Sequence, residues 1–246
     1  EHPHLEFVVR NVLLHLNAGK QAAWKLQIHF APGPGGNERF VRKVLKDVPN
    51  VNYIALKPGF GSGGDYNTVL KDRVLWEKLQ SDGAKYTLVF QSDSMLIGTE
   101  ISPFYEYDYI GAPWHVTENA SSSEWIRKEH FSKNGGAFHE ACCNGGLSLR
   151  NTDAMVKITH KLRSANPRIN EDVYFSRSAK GMALRVPSRR VAYSFVREIL
   201  CDDLAYEQAP YGLHNAWVYM SVPAVWGMFR ESMRSVGLDF IEPPGR

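Results

Sequence analysis

The stretch "YTLVFQSDSML", residues 86–96, decides how this chain is read. Its first six residues, 86–91, have the aromatic and β-branched content of a buried strand. The strand then ends on a carboxylate, Asp93, held between Ser92 and Ser94. An acid in that place has two readings. It can close a turn through nearby backbone N–H groups, or it can hold a ligand at the carboxyl end of a strand, where open α/β sheets bind theirs.

The residues before the stretch alternate in period. Leu5, Val8, Val9, Val12, Leu13 and Leu16 predict one face of a helix over 5–16. "WKLQIHF" (24–30) predicts a strand that the cluster "APGPGG" (31–36) stops. Asn37 is placed to cap a helix over 38–48. "VNYIALK" (51–57) predicts a second strand, and "PGFGSGG" (58–64) a loop. A helix over 66–79 should bury Val69, Leu70, Val74 and Leu75. This alternation predicts an α/β fold, with a mostly parallel sheet flanked by helices.

After residue 100 the alternation fades into long polar and aromatic connections: "YDYIGAPWH" (107–115), the loop 116–140 and "CCNGGLSLR" (142–150). A helix over 152–164 follows, then "NEDVYFS" (170–176) and the tail "APYGLHNAW" (209–217). No repeat, low-complexity tract or linker divides the chain. The expectation is a single domain over 1–246, with a nucleotide-binding half (1–100) and an elaborated acceptor-side half (101–246).

Composition removes several classes of function. Twenty-nine basic residues against 26 acidic leave a formal charge of +3, without a Lys/Arg run longer than two, so no nucleic-acid partner is expected. No apolar stretch approaches the roughly 20 residues that span a bilayer, so no membrane span is expected. The three cysteines, Cys142, Cys143 and Cys201, match no zinc or disulfide spacing and are expected to be free. A sequon at Asn119 alone does not establish a compartment. Cytoplasmic placement is favoured, with a secretory lumen as the alternative if an N-terminal anchor was removed. Oligomeric state is left open.

Four short elements can carry chemistry, although each alone also reads as an ordinary turn, cap or packed residue. Asp93 offers one hard oxygen ligand, which suffices for Mg2+ or Mn2+ when phosphates and water complete the shell. Asn144, Gly145 and Gly146 allow a backbone to approach a ligand closely. Glu171 and Asp172 open an apolar run as helix-starting acids do, and a carboxylate on a cleft floor can also take a proton from a hydroxyl. His214, expected in a loop, adds an imidazole suited to manganese.

In that order the elements resemble a nucleotide-sugar glycosyltransferase of the GT-A (Rossmann-like) fold. Its metal motif, glycine loop, x-Glu-Asp motif and late histidine correspond here to "QSD" (91–93), "NGG" (144–146), "NED" (170–172) and His214. More narrowly, "FQSDSML", "YDYIGAPW", "NGGLSLR", "EDVYFS" and "GLHNAW" are similar to a family of glycosyltransferase-like domains. Gln91 stands where the metal motif usually carries its first acid.

The resemblance implies metal-dependent, inverting transfer of a hexosyl, pentosyl or deoxyhexosyl group. The donor would be a nucleotide-diphosphate sugar and the acceptor a hydroxyl of a glycan or another molecule. It implies Asp93 and His214 as ligands of Mn2+ or Mg2+, Asp172 as base and Glu171 as its substitute. Gln91, Ser92, Asp93, Asn144, Gly145 and Gly146 would line the donor. Asp65, Tyr66 and Asn67 would receive its base or ribose, and Trp114 and Trp217 would stack on sugar. The alternative is a non-catalytic GT-A-like domain that binds a nucleotide or glycan. A nucleotidyltransferase would need a Gly-rich basic loop after its first strand, and the sequence shows none.

Overall fold

The computed structural model describes residues 5–18, 24–32, 36–56, 63–114, 142–161, 169–198 and 209–216, with isolated positions between 223 and 234. The sequon at Asn119, the loop 116–140, Cys201 and Trp217 lie outside these residues, as does the side chain of Asp65.

The first helix, α1 (Leu5–Ala18), buries Val8, Val9, Val12 and Leu16, as its periodicity requires. It also buries Asn11 and His15, for a reason the periodicity does not contain. The Asn11 amide pairs with both backbone groups of Leu96, accepting from its N–H at 2.7 Å and donating to its carbonyl at 3.1 Å. His15 Nδ1 lies 2.9 Å from the Gly98 carbonyl. The helix thereby pins the segment that follows Asp93.

Strands β1 (Leu26–Phe30) and β2 (Val51–Ala55) are parallel and joined through α2 (Glu38–Val44). Asn37 does not cap α2 with its side chain. Its Oδ1 accepts from Ala31 N at 2.9 Å and so closes the turn behind it. The helix expected over 66–79 is two helices, α3 (Gly63–Lys71) and α4 (Arg73–Ser81). Asp72 breaks them with extended backbone and caps α4, its carboxylate accepting from Val74 N at 2.9 Å. The break shifts the helical phase. Val74, expected inside, is 67% exposed, and Trp76 is fully buried in its place.

The sheets correct the expectation of mostly parallel pairing. Strand β6 (Cys142–Asn151) lies between β3 (Tyr86–Phe90) and β5 (Tyr109–Pro113) and is antiparallel to both. In a second small sheet, β8 (Gly212–His214) pairs antiparallel with β4 (Ser94–Leu96) and parallel with β7 (Val196–Arg197). Two elements expected as a connection and a tail, β5 and β8, are therefore strands. Helices α5 (Thr152–Lys161), α6 (Glu171–Gly181) and α7 (Arg189–Phe195) complete a mixed α/β architecture of small sheets. Among the described residues no helix is long and apolar enough to cross a membrane.

Side chains of β6 divide between two cores: Leu149 and Arg150 alternate as a strand's period of two requires, and three extra residues between Asn144 and Ser148 reverse the phase for Cys143. Leu147 and Leu149 join Val8, Val12, Leu96 and Phe195 on one side. Cys143 joins Trp76, Tyr109, Met155 and Phe175 on the other, and the fully buried Arg150 sits over three of those rings. Phe90 packs against the first core and also against the β1–β2–α2 cluster, which joins the opening strand pair to the rest.

Candidate functional site

The turn after β3 answers the question that Asp93 raised. Ser94 N donates to the Gln91 carbonyl at 3.1 Å, closing a four-residue turn. The side-chain contribution comes from Ser94, whose Oγ accepts from Gln91 N at 3.2 Å. Ser94 Oγ also donates to the Gly146 carbonyl at 3.2 Å, and Gln91 N approaches the same oxygen at 2.9 Å. With the turn closed in this way, the Asp93 carboxylate faces His214, its Oδ1 3.5 Å from Nε2. Ser92 is half-buried within the same turn.

The glycine pair sits where β6 leaves its ladder with β5. Gly111 pairs with Ser148, yet the next residue, Ala112, pairs with Asn144, so β6 holds three extra residues at that point. Such a bulge re-aims backbone toward a site. A Cβ on Gly145 would lie 1.8 Å from Glu171 Oε1, and one on Gly146 would lie 2.0 Å from His214 Nε2. Both glycines are therefore required by close approach, one to Glu171 and one to the histidine. Asn144 Oδ1 accepts from Gly146 N at 2.8 Å and holds the bulge in shape.

His214 is on a strand, not in a loop as expected. It lies opposite Ser94 in β8, and the left-handed Asn215 (φ 50°) turns the chain away so that Asn215 N donates to the Asp93 carbonyl at 2.8 Å. The imidazole is buried, and burial opposes its charge. The carboxylates of Asp93 and Glu198 outweigh that opposition and raise its pKa to about 9. Gln91 Oε1 lies 3.2 Å from Nε2, and Glu198 Oε1 lies 3.5 Å from Nδ1.

Glu171 and Asp172 open α6, where carboxylates are favoured by the helix dipole. Their roles divide. Glu171 is 2% exposed, and its Oε2 lies 2.8 Å from Arg150 Nη1, an ion pair enclosed by Trp76, Tyr109 and Phe175. Arg150 also donates to the Gly145 carbonyl at 3.3 Å, tying the acid pair to the glycine bulge. Among the described residues Asp172 has no such ion-pair partner. Burial and then the neighbouring Glu171 push its pKa up to about 7, with a smaller contribution from Glu198, against the pull of Val173 N and Arg150. One of its oxygens accepts from Val173 N at 2.7 Å, which leaves the other for a proton.

Of the three residues expected to receive a base or ribose, Asn67 has another task. Its Oδ1 accepts from Glu171 N at 2.7 Å and caps α6 from α3. Tyr66 is drawn into the charge cluster: burial, then Glu171, holds its phenol far above the ordinary value, so it stays protonated. Trp114 is 8% exposed, which withdraws most of its face from sugar stacking.

The structure thus brings together Gln91, Asp93, Asn144, Gly145, Gly146, Glu171, Asp172 and His214 from four separated segments. Sequence reasoning missed Arg150 and Glu198. Arg150 carried a signal, since a cation alternating with Leu147 and Leu149 on a strand points to a side of the sheet that must supply it with an acid. Glu198 carried none.

As a cation site, Asp93 Oδ1, His214 Nε2 and Gln91 Oε1 form a compact but sparse set of donors. Among the described residues no group of three or more His, Cys, Asp and Glu side chains could hold a metal. Such a set would hold a cation only with ligand oxygens and water completing its shell, and imidazole is a better ligand for Mn2+ than for Mg2+.

Residues 50–214 match the family described as protein of unknown function (DUF5672), and the chain belongs to it. The match opens just before β2 and ends on His214, so it takes in every residue of the cluster. No curated protein matches the chain.

Proposed function

We propose that this member of the family is a metal-dependent, inverting glycosyltransferase of GT-A type. It would transfer a hexosyl, pentosyl or deoxyhexosyl group from a nucleotide-diphosphate sugar to a hydroxyl of a glycan or other acceptor. One observation carries the reading: the glycine bulge abuts Glu171, the first of the acid pair, at Gly145 and the histidine at Gly146. Four motifs that are far apart in sequence meet there, and their convergence supports the reading. A plain hairpin turn or helix cap has no use for that convergence.

Asp93 and His214 would hold Mn2+ or Mg2+, with Gln91 supplying an amide oxygen in place of a second acid. A divalent cation bound there supplies Lewis-acid stabilisation of a leaving diphosphate. The bulge 144–146 offers backbone for close approach of the donor sugar. Asp172, raised to about 7, is matched to accepting a proton from an acceptor hydroxyl near neutral pH. Glu171 is engaged by Arg150 in a buried ion pair, which leaves Asp172 as the preferred base. Attack from the Asp172 side in a single displacement inverts the anomeric centre. The disulfide at Cys143 supports folding in an oxidising compartment, which favours the secretory lumen over the cytoplasm.

The test is a panel of nucleotide sugars with and without Mn2+, read by thermal shift and by donor hydrolysis. A ligand that binds only the folded state raises stability by RT ln(1 + [L]/Kd). The expected result is one donor that stabilises the protein with Mn2+ present and is slowly hydrolysed. Stabilisation without turnover on any acceptor would establish a binding domain instead. No response to any donor would overturn both readings.

A further inference from the structure

Glu198 meets the His214 ring from the side away from Asp93. Strands β7 and β8 run parallel, with Val196 opposite Gly212 and Arg197 opposite Leu213. The next step in that register sets Glu198 beside His214 with both side chains on one face. The Glu198 carboxylate also accepts from Asn144 Nδ2 at 3.4 Å, which ties it to the glycine bulge.

A neutral imidazole carries one proton, and the partner of one nitrogen decides what the other presents. The His214 side chain is 6% exposed, so neither ring nitrogen is left to bulk water. Nε2 faces Asp93 Oδ1 at 3.5 Å and the Gln91 amide at 3.2 Å. Nδ1 makes no hydrogen bond among the described residues, and the carboxylate within ion-pair reach of it is that of Glu198, at 3.5 Å. Closing that gap by about half an ångström makes a charge-assisted hydrogen bond.

Two carboxylates therefore compete for one proton. Glu198 is 16% exposed and Asp93 is 32% exposed, so the field of Glu198 is less screened by water. The Gln91 amide can present oxygen or nitrogen to Nε2 and accommodates either tautomer.

We infer that Glu198 is a positioning residue that holds the proton on His214 Nδ1, so that the Nε2 lone pair points with Asp93 toward a bound divalent cation. The inference deepens the proposed reading of Asp93 and His214 as cation ligands and rests on it. Carboxylate–imidazole–metal arrangements of this kind orient the ligand ring and strengthen its hold on metal.

The experiment uses the full chain, labelled with nitrogen-15 at histidine, as wild type, Glu198→Gln and Glu198→Ala. Retained melting midpoints show that each variant folds. Long-range proton–nitrogen correlation spectra at alkaline pH, where the ring is neutral, report its tautomer. Wild type is expected to carry the proton on Nδ1. Glu198→Ala should move it largely to Nε2, with Glu198→Gln between them because its amide oxygen still accepts.

Titration with MnCl2 alone, followed by calorimetry, should show binding weakened about 10–100-fold in Glu198→Ala. An unchanged tautomer, or equal Mn2+ affinity in wild type and Glu198→Ala, overturns the role of Glu198 while leaving the cation site standing. Wild type that takes up no Mn2+ overturns the cation reading instead, and the tautomer result then decides by itself whether Glu198 holds the ring.

Discussion

At the scale of single residues, Gly146 and Asp172 bear the strongest demands. A methyl group at Gly146 would sit 2.0 Å from His214 Nε2, on a ring that packing prevents from moving freely. Gly146→Ala should cost about 1–3 kcal/mol of stability, as overpacking does, and should remove Mn2+-dependent nucleotide binding. Urea unfolding and calorimetry read the two effects, and unchanged binding would contradict the close approach.

Asp172→Asn should keep donor binding and lower transfer by about 10²–10⁴-fold. In wild type, transfer should rise with pH through about 7 as Asp172 deprotonates. The same group sets a slope in stability. Its folded pKa lies above its unfolded one, so the folded state holds the proton longer, and stability falls as pH rises from about 4 to about 7. At 1.36 kcal/mol per pKa unit the loss is bounded at about 4 kcal/mol, and Asp172→Asn should remove it. Urea midpoints of wild type and variant, compared at the two ends of that window, decide the matter. Parallel curves would rule the burial argument out.

At the scale of elements, the break at Asp72 and the bulge in β6 shape the site. Asp72 ends α3, starts α4 and turns Trp76 toward Phe175, with ring centroids 5.8 Å apart. Asp72→Ala should cost about 1 kcal/mol through loss of the cap, measured by thermal melting, with little effect on donor binding. The bulge depends on a deeper bond. Arg150 joins Glu171 to the Gly145 carbonyl, so removing one charge leaves its partner buried alone.

Glu171→Gln should therefore cost about 3–5 kcal/mol. The double change Glu171→Gln with Arg150→Met should cost less than the two single costs combined, because no buried charge is left over. Additive losses in that cycle would mean that the pair is not coupled. These features were only partly legible in the sequence. The glycine pair and the acid pair stood out by residue type, but the phase of α4 depended on a cap that the apolar pattern of 66–79 concealed.

For the whole molecule, the cysteines show how far composition reaches. Three cysteines without a recognisable spacing were expected to be free, yet Cys143 is disulfide-bonded, to a sulfur outside the described side chains. Disulfide pairing is set by distance in the fold, and spacing in the chain carries it only in compact frameworks. Cys143→Ser should cost about 2–5 kcal/mol, and reductant should lower the wild-type melting point but not that of the variant. A reductant-insensitive wild type would contradict the bond.

The sequence by itself determined the local elements: the period of α1, the strand character of β1, β2 and β3, and the residue types at positions 93, 144–146, 171–172 and 214. Those follow from side-chain volume, polarity and backbone freedom within a few residues. Tertiary structure alone decided that β6 runs antiparallel between β3 and β5, that β8 joins β4 to β7, that Glu198 belongs to the site, and that Glu171 is the acid Arg150 meets. Strand order and the pairing of buried charges depend on contacts between residues far apart in the chain. The periodicity of a segment says which face is buried, and it leaves the partner of that face to the fold.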